Sequence, residues 1–239
     1  MHAIYKKEIK HFFNSFEGYL VIGVFYTISS LILWFIPSDL NILINKQASL
    51  LPFFLVTPWI LLILIPSITM KMISIESLEK TNILLFTKPI TKWSIINSKF
   101  LASMTISVLS ILPTITYVYS IIMLSEPTGN VDFGEMIGSY IGVFFLICSY
   151  NAIGIFCSSL SSNTVLCFIS SVLMILFITF GINNIGIYYN NSLISNLSIM
   201  HHYESISRGV LDTRSIMYFI SIIIIFLNLS THTLNKHRL

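Results

Sequence analysis

Six apolar runs without a single Asp, Glu, Lys or Arg most limit the fold of this chain; they cover residues 18–36, 52–70, 100–124, 136–160, 164–180 and 216–230. About 20 apolar residues in a helix cross a hydrocarbon layer about 30 Å thick. The last two runs are short and are expected to continue into their flanks. A charge left unpaired in hydrocarbon is costly, so intramembrane charges usually mark function; none lies in these runs. Charged residues make up 10% of the 239 positions, against about 25% in an ordinary soluble domain, so little of the surface is expected to face water. The fold class that follows is all-α: a polytopic membrane protein with six transmembrane helices, forming a single domain over 1–239. Lys6, Lys7 and Lys10 lead into a full-length span with no small-residue cleavage site, so the first span is expected to be retained rather than removed as a signal peptide.

Basic residues set the orientation, because Lys and Arg accumulate on the cytoplasmic side. With the N-terminus inside, Lys6, Lys7, Lys10, Lys71, Lys80, Lys88, Lys92, Lys99, Lys236 and Arg238 fall in cytoplasmic segments, and Lys46, Arg208 and Arg214 fall outside. Both termini are therefore expected in the cytoplasm. Before the first span, residues 1–17 read as an amphipathic elbow helix. Tyr5, Ile9, Phe12, Phe13 and Phe16 recur at helical spacing, while Lys6, Lys7, Lys10 and Asn14 lie elsewhere. A basic helix with an aromatic face suits the headgroup plane of a bilayer.

Two connections stand out. The cytoplasmic segment 71–99 holds Glu76, Glu79 and Lys80, then the apolar run Ile83–Phe86, then Lys88 and Pro89. Proline ends a helix, and Thr91 is placed to cap the next one, with Trp93 at the interface. A short helix across the cytoplasmic mouth, followed by a turn, is expected. The outer connection 181–215 intersperses Ile, Leu and Tyr with Asn and Ser. Such a segment enters the membrane only where its backbone is covered. Within it, Glu204 with Arg208 and Asp212 with Arg214 are spaced for local pairing, which predicts a structural brace of the outer gate.

Signs of catalysis are missing from the sequence. Gly181 and Gly186 have phosphate-loop spacing, but Ile187 and Tyr188 stand where Lys and Ser or Thr are required. His201, His202 and Glu204 do not form the metalloprotease pattern, and Cys148, Cys157 and Cys167 lack metal-ligand spacing. Serines lie in the spans, but no His or Lys shares their depth to act as a base. Catalytic, cofactor-binding and metal-binding residues are therefore all expected to be none. Ser158, Ser159, Ser161, Ser162 and Asn163 read as the turn between the fourth and fifth spans, with a cap for the fifth. Gly138 and Gly142 form a small-residue pair suited to close packing within the subunit. Pro58, Pro66 and Pro113 are expected to kink their helices.

This order of parts resembles the membrane subunit of type-2 ABC exporters, which has an elbow helix, six spans, a coupling helix between spans two and three, and re-entrant helices before span six. The run Glu76-Ser-Leu-Glu79-Lys80-Thr81-Asn-Ile83-Leu84-Leu85-Phe-Thr-Lys88-Pro89 is similar to the coupling segment of that family, with Lys80 in place of its glycine and Ile83 in place of its second acidic residue. The resemblance implies that Glu76, Glu79, Lys80, Thr81, Leu84, Leu85, Lys88 and Pro89 couple the chain to an ATPase. Three stretches are similar to the permease subunits associated with bacterial gliding motility: 52–59, 138–142 and 203–214. That likeness implies a gliding-bacterium lineage more strongly than gliding itself.

By this resemblance the chain is a permease subunit of an ATP-driven exporter in a bacterial inner membrane, not an enzyme. It implies that ATP and Mg are bound by a separate cytoplasmic ABC ATPase subunit, that a second permease subunit completes the transporter, and that the bilayer is a partner while nucleic acid is not. A secondary carrier and a non-transporting membrane anchor or assembly protein are the competing readings. The first usually keeps ionisable or broken-helix sites at the midplane, and its signature charges are missing from the apolar runs.

Overall fold

The computed structural model describes residues 1–45, 49–79, 91–127, 129–209 and 212–236, and among them every regular element is helical. The first helix, α1 (His2–Asn14), stops where Ser15 becomes extended, with φ −93° and ψ 141°. Ser15 then caps α2 (Phe16–Ser30) by accepting from the Gly18 amide at 3.3 Å, which satisfies one of the orphan donors of a helix start. The first span continues as a π-helical stretch, Leu31–Phe35. A short α3 (Ile42–Asn45) is capped by Asn41.

The second span is α4 (Leu51–Leu78), with Pro58 and Pro66 inside one continuous helix. The third is α5 (Lys92–Ile111), a 3₁₀ turn Leu112–Thr114 containing Pro113, and α6 (Ile115–Leu124). Proline removes an amide donor, and here only Pro113 changes the helix type. Thr91 caps α5, as its position predicts, accepting from Ser94 N at 3.3 Å. The fourth span, α7 (Phe133–Leu160), is capped by Asp132. The fifth, α8 (Thr164–Leu176), is capped by Asn163. It continues through a π-helical stretch, Phe177–Gly181, into α9 (Ile182–Tyr188). Then come α10 (Ser192–Ser195), α11 (Ile199–Ser207) and the sixth span, α12 (Thr213–Lys236).

Among the described residues six helices are thus long and apolar enough to cross a membrane, so the protein is an all-α multi-pass membrane protein. Most outlast the apolar runs read from sequence. The extensions carry Lys71, Glu76, Lys92, Lys99, Glu135 and Arg214 inside helices, near their ends. The core lies on α4 and α7, whose span windows are 72% and 78% buried, against 22% for the first, fifth and sixth spans. Polar side chains inside the core are paired. Asn151 Nδ2 donates to Ser107 Oγ at 3.1 Å, and Thr179 Oγ1 donates to Tyr150 Oη at 3.1 Å. Among the described residues no buried side-chain nitrogen or oxygen lacks a partner, as a low-dielectric interior demands.

Alternation of the spans gathers two distinct ends. At one, Ser158 Oγ at the end of α7 accepts from the Ile73 and Ser74 amides of α4 at 3.1 and 3.2 Å, and Lys92 Nζ donates to Leu234 O of α12 at 3.3 Å. At the other, Tyr203 Oη on α11 donates to Phe54 O at 2.7 Å, and Ser139 Oγ donates to Ser207 O at 2.8 Å. The small-residue pair of α7 seats α11 there: a Cβ added at Gly138 would stand 2.7 Å from Gly209 Cα, and one at Gly142 would stand 3.3 Å from Ile206. The pair serves packing within the subunit, as the sequence suggests.

Candidate functional site

Three helices meet at a cluster of buried charge. Glu8 projects from α1, Glu76 from the last turns of α4, and Lys99 from the third turn of α5. Lys99 is 1% exposed. Its ammonium lies 3.0 Å from Glu8 Oε1 and 2.9 Å from Glu76 Oε2, and it also donates to the Met72 carbonyl. An ammonium has three protons to donate, and all three have acceptors here. Lys7 closes the cluster from outside, donating to Glu76 Oε1 at 3.0 Å while its side chain stays 61% exposed. Partial burial alone would lower the Lys7 pKa. The hydrogen bond to Glu76 and the negative charges of Glu76, Glu8 and Glu79 outweigh that and hold it above the ordinary value.

The local sequence accounts for this geometry. Lys92 and Lys99 are seven apart, two turns on one face of α5, and that face turns toward the bundle end. Glu8 points inward from α1 while Lys6, Lys10 and His11 stay exposed. Among the described residues two cations and two carboxylates balance, which keeps the desolvation cost of the buried members tolerable. Chemically the cluster presents no nucleophile and no open ligand position; it acts as a joint. It ties the two arms that flank residues 80–90, α4 and α5, to each other and to α1.

The sequence-derived coupling residues divide at this joint. Glu76 is buried within it, and Glu79 lies at its edge in the turn that ends α4. Lys80, Thr81, Leu84, Leu85, Lys88 and Pro89 lie outside the described residues. Of the elbow residues, Tyr5, Ile9, Phe12 and Phe13 are half-buried on α1. Phe16 is a correction: the break at Ser15 places it on α2, where it is 80% exposed. The inward side of α1 carries Glu8 together with Ile9, Phe12 and Phe13, which pack against the core, and the helix rests on α5.

At the opposite end, Glu204 and Arg208 approach to 3.9 Å with side chains 41% and 75% exposed. Asp212 accepts from the Arg214 amide at 3.0 Å, so it caps α12. The tighter ties there are ones the sequence did not single out. Besides Tyr203 and Ser139, Ser198 Oγ donates to Thr179 O at 2.9 Å. His202 Nε2 donates to Asn196 O at 2.9 Å, its Nδ1 lies 3.0 Å from Ser215 Oγ, and its ring stacks on Tyr218. Burial is the main cause of the lowered His202 pKa, helped by His201; the Asn196 carbonyl and Asp212 oppose it.

The family model for ABC-2 family transporter proteins matches residues 2–234. The chain belongs to that family. The ABC-2 assignment makes it a membrane permease component of an ABC transporter, which associates with an ABC ATPase subunit and with the bilayer. Six apolar helices meet the requirement of such a permease. Among curated proteins no match is found. Within this ABC-2 permease, the Lys99 joint was not marked by sequence. The available signal was the seven-residue spacing of Lys92 and Lys99 together with an isolated acidic residue, Glu8, in a basic helix.

Proposed function

We propose that this permease is the export channel half of an ATP-driven transporter in a bacterial inner membrane, with both termini cytoplasmic and a second permease subunit opposite. A separate ATPase binds ATP and Mg and docks on residues 80–90. The observation that carries the reading is the buried Lys99–Glu8–Glu76 joint. A docking segment moves a span only if its two ends are firmly held to the bundle. The joint does this, and it links the movement to the elbow helix. Lys80, Thr81, Leu84, Leu85, Lys88 and Pro89 then supply an apolar centre with a charged rim, the usual build of a protein interface, with Glu76 and Glu79 at its root.

We assign Glu204, Arg208, Asp212 and Arg214 to bracing of the outer end rather than to substrate binding. The Asp212 cap starts the sixth span and the exposed Glu204–Arg208 pair lies at the end of the short α11, both local contacts. Likeness of 52–59, 138–142 and 203–214 to gliding-motility permeases supports placing the transporter in that subgroup. Affinity capture of the tagged permease from membranes, followed by mass spectrometry, tests the reading. Recovery of an ABC ATPase with a second permease is expected. Capture of the chain alone, under conditions that preserve known ABC complexes, would overturn it.

A further inference from the structure

Where α11 meets the start of α12, one imidazole holds both sides. His202 is half-buried. Its Nε2 lies 2.9 Å from Asn196 O, in the turn before α11, and its Nδ1 lies 3.0 Å from Ser215 Oγ on α12. The ring stacks on Tyr218 with centroids 4.1 Å apart, and Tyr218 Oη donates to Leu197 O. We propose that His202 is an acid-released latch: uptake of a second ring proton frees the start of the sixth span from the short helix beside it.

The proton count carries the proposal. A carbonyl only accepts, so the Asn196 contact puts the single proton of the neutral ring on Nε2. Nδ1 is then an acceptor, and the proton between it and Ser215 belongs to the hydroxyl. Ser215 is 2% exposed, and among the described residues Nδ1 is the acceptor that its hydroxyl has. A proton added at Nδ1 meets the hydroxyl proton head on. The hydroxyl must turn away, which leaves its proton without an acceptor in a buried place, a state folded proteins avoid. Once released, the ring is solvated and both nitrogens donate to water. Acid therefore favours release.

The surrounding charges act in the same sense. The elements packed around the ring carry His201, Glu204 and Arg208 on α11, Asp212 and Arg214 where α12 begins, and Asp132 and Glu135 where α7 begins; the turn 196–198 and the π-helical stretch 177–181 carry none. Burial of the ring and the neighbouring His201 oppose the added charge, and they outweigh Asp212 and the Asn196 carbonyl, which favour it. The other ties of α11 are made by hydroxyls, which acid leaves uncharged. Tyr203 donates to Phe54 O of α4, Ser139 of α7 to Ser207 O, and Ser198 to Thr179 O. Helix α11 thus keeps its seat while α12 lets go, so the device loosens one side of the outer end rather than the whole of it.

Only the placing of the latch on the outer side rests on the proposed topology. Its test needs neither an ATPase nor an orientation, so its failure is distinct from failure of the proposed function. Hydrogen–deuterium exchange of the purified permease in micelles, corrected for the pH dependence of unstructured amides, is read about one unit above and about one unit below the ordinary histidine value of 6.5. A ring that titrates at its ordinary value only when released makes opening up to about tenfold more frequent across that interval. The amides of 216–221, beginning with Ile216 N on Asp212 O, should lose protection by about that factor in the unsubstituted chain and in His201→Gln, while amides 140–150 of α7 keep theirs. The acid response should vanish in His202→Gln. It should shrink in Ser215→Ala, which removes the conflicting hydroxyl proton and carries the comparison should His202→Gln fail to fold. Equal protection of 216–221 at both pH values in the unsubstituted chain would overturn the proposal whatever the variants do. An undiminished fall in either variant, or an equal fall in 140–150, would overturn it as well, since the acid effect would then lie elsewhere or be global.

Discussion

Replacing Lys99 by Met removes the buried cation that lies between both carboxylates and leaves the largely exposed Lys7 in contact with them. The substitution keeps length and apolar volume but deletes contacts of 3.0 Å to Glu8 and 2.9 Å to Glu76, together with the bond to the Met72 carbonyl. Glu8 and Glu76 remain about as buried as before and lose their closest buried cation, while the Lys7 that stays beside them is largely exposed. Breaking a buried pair by removing one partner costs about 3–5 kcal/mol, and that is the loss expected for K99M. The triple variant Glu8→Gln, Glu76→Gln, Lys99→Met removes the charges together. It should recover most of the loss, because replacing a whole buried network by uncharged groups is often near neutral. Equilibrium unfolding in mixed micelles, followed by Trp fluorescence and a second probe to check two-state behaviour, measures both. A cost for K99M below about 1 kcal/mol, the range of a solvated surface pair, would refute the buried joint.

Three further outcomes are expected. Gly138→Ala should destabilise by about 1–3 kcal/mol, because the added carbon meets the Gly209 backbone at 2.7 Å; unfolding in the same micelles checks it, and an unchanged midpoint would contradict the packing. The lowered His202 pKa means that the folded state resists protonation, so its contribution is complete above the ordinary value of 6.5 and is lost as the pH falls from there through the folded value. A His202→Gln variant should therefore show a flatter fall of stability over that window in a pH series of melts, and an identical slope would count against the half-buried His202 contacts. Cysteine labelling of intact cells should reach Lys80→Cys only after the cytoplasmic face is opened and Arg208→Cys from outside directly, and the reverse pattern would invert the topology.

Much of the architecture is legible in the sequence because hydrocarbon imposes a length rule that single residues obey. The six spans, the caps at Thr91 and Asn163, and the packing role of Gly138 and Gly142 all follow from local pattern. Span ends are less legible. Charges at 71, 76, 92 and 99 read as solvated flanks, yet α4 and α5 continue as helices through them, and Lys99 and Glu76 turn inward. Which way a charge faces at a helix end depends on what packs there, here α1 bringing Glu8, and no window of sequence contains all three. Helical spacing continues past Asn14 and puts Phe16 on the elbow face; Ser15, a helix-capping residue, is the signal that a new helix starts. Tyr203 and Ser198 bond to backbone carbonyls distant in sequence, those of Phe54 and Thr179, and a carbonyl leaves no trace in sequence.

Residues 80–90 carry the central claim, that a separate ATPase drives this permease through the segment held by the Lys99 joint. Leu84 and Leu85 are changed to Asp together, the tagged permease is purified from membranes, and two quantities are read: the amount inserted and the amount of ABC ATPase retained. Normal insertion with loss of the ATPase is the predicted result, since two charges in the apolar centre of an interface disrupt it. Retention of the ATPase at the level of the unsubstituted permease would contradict the account.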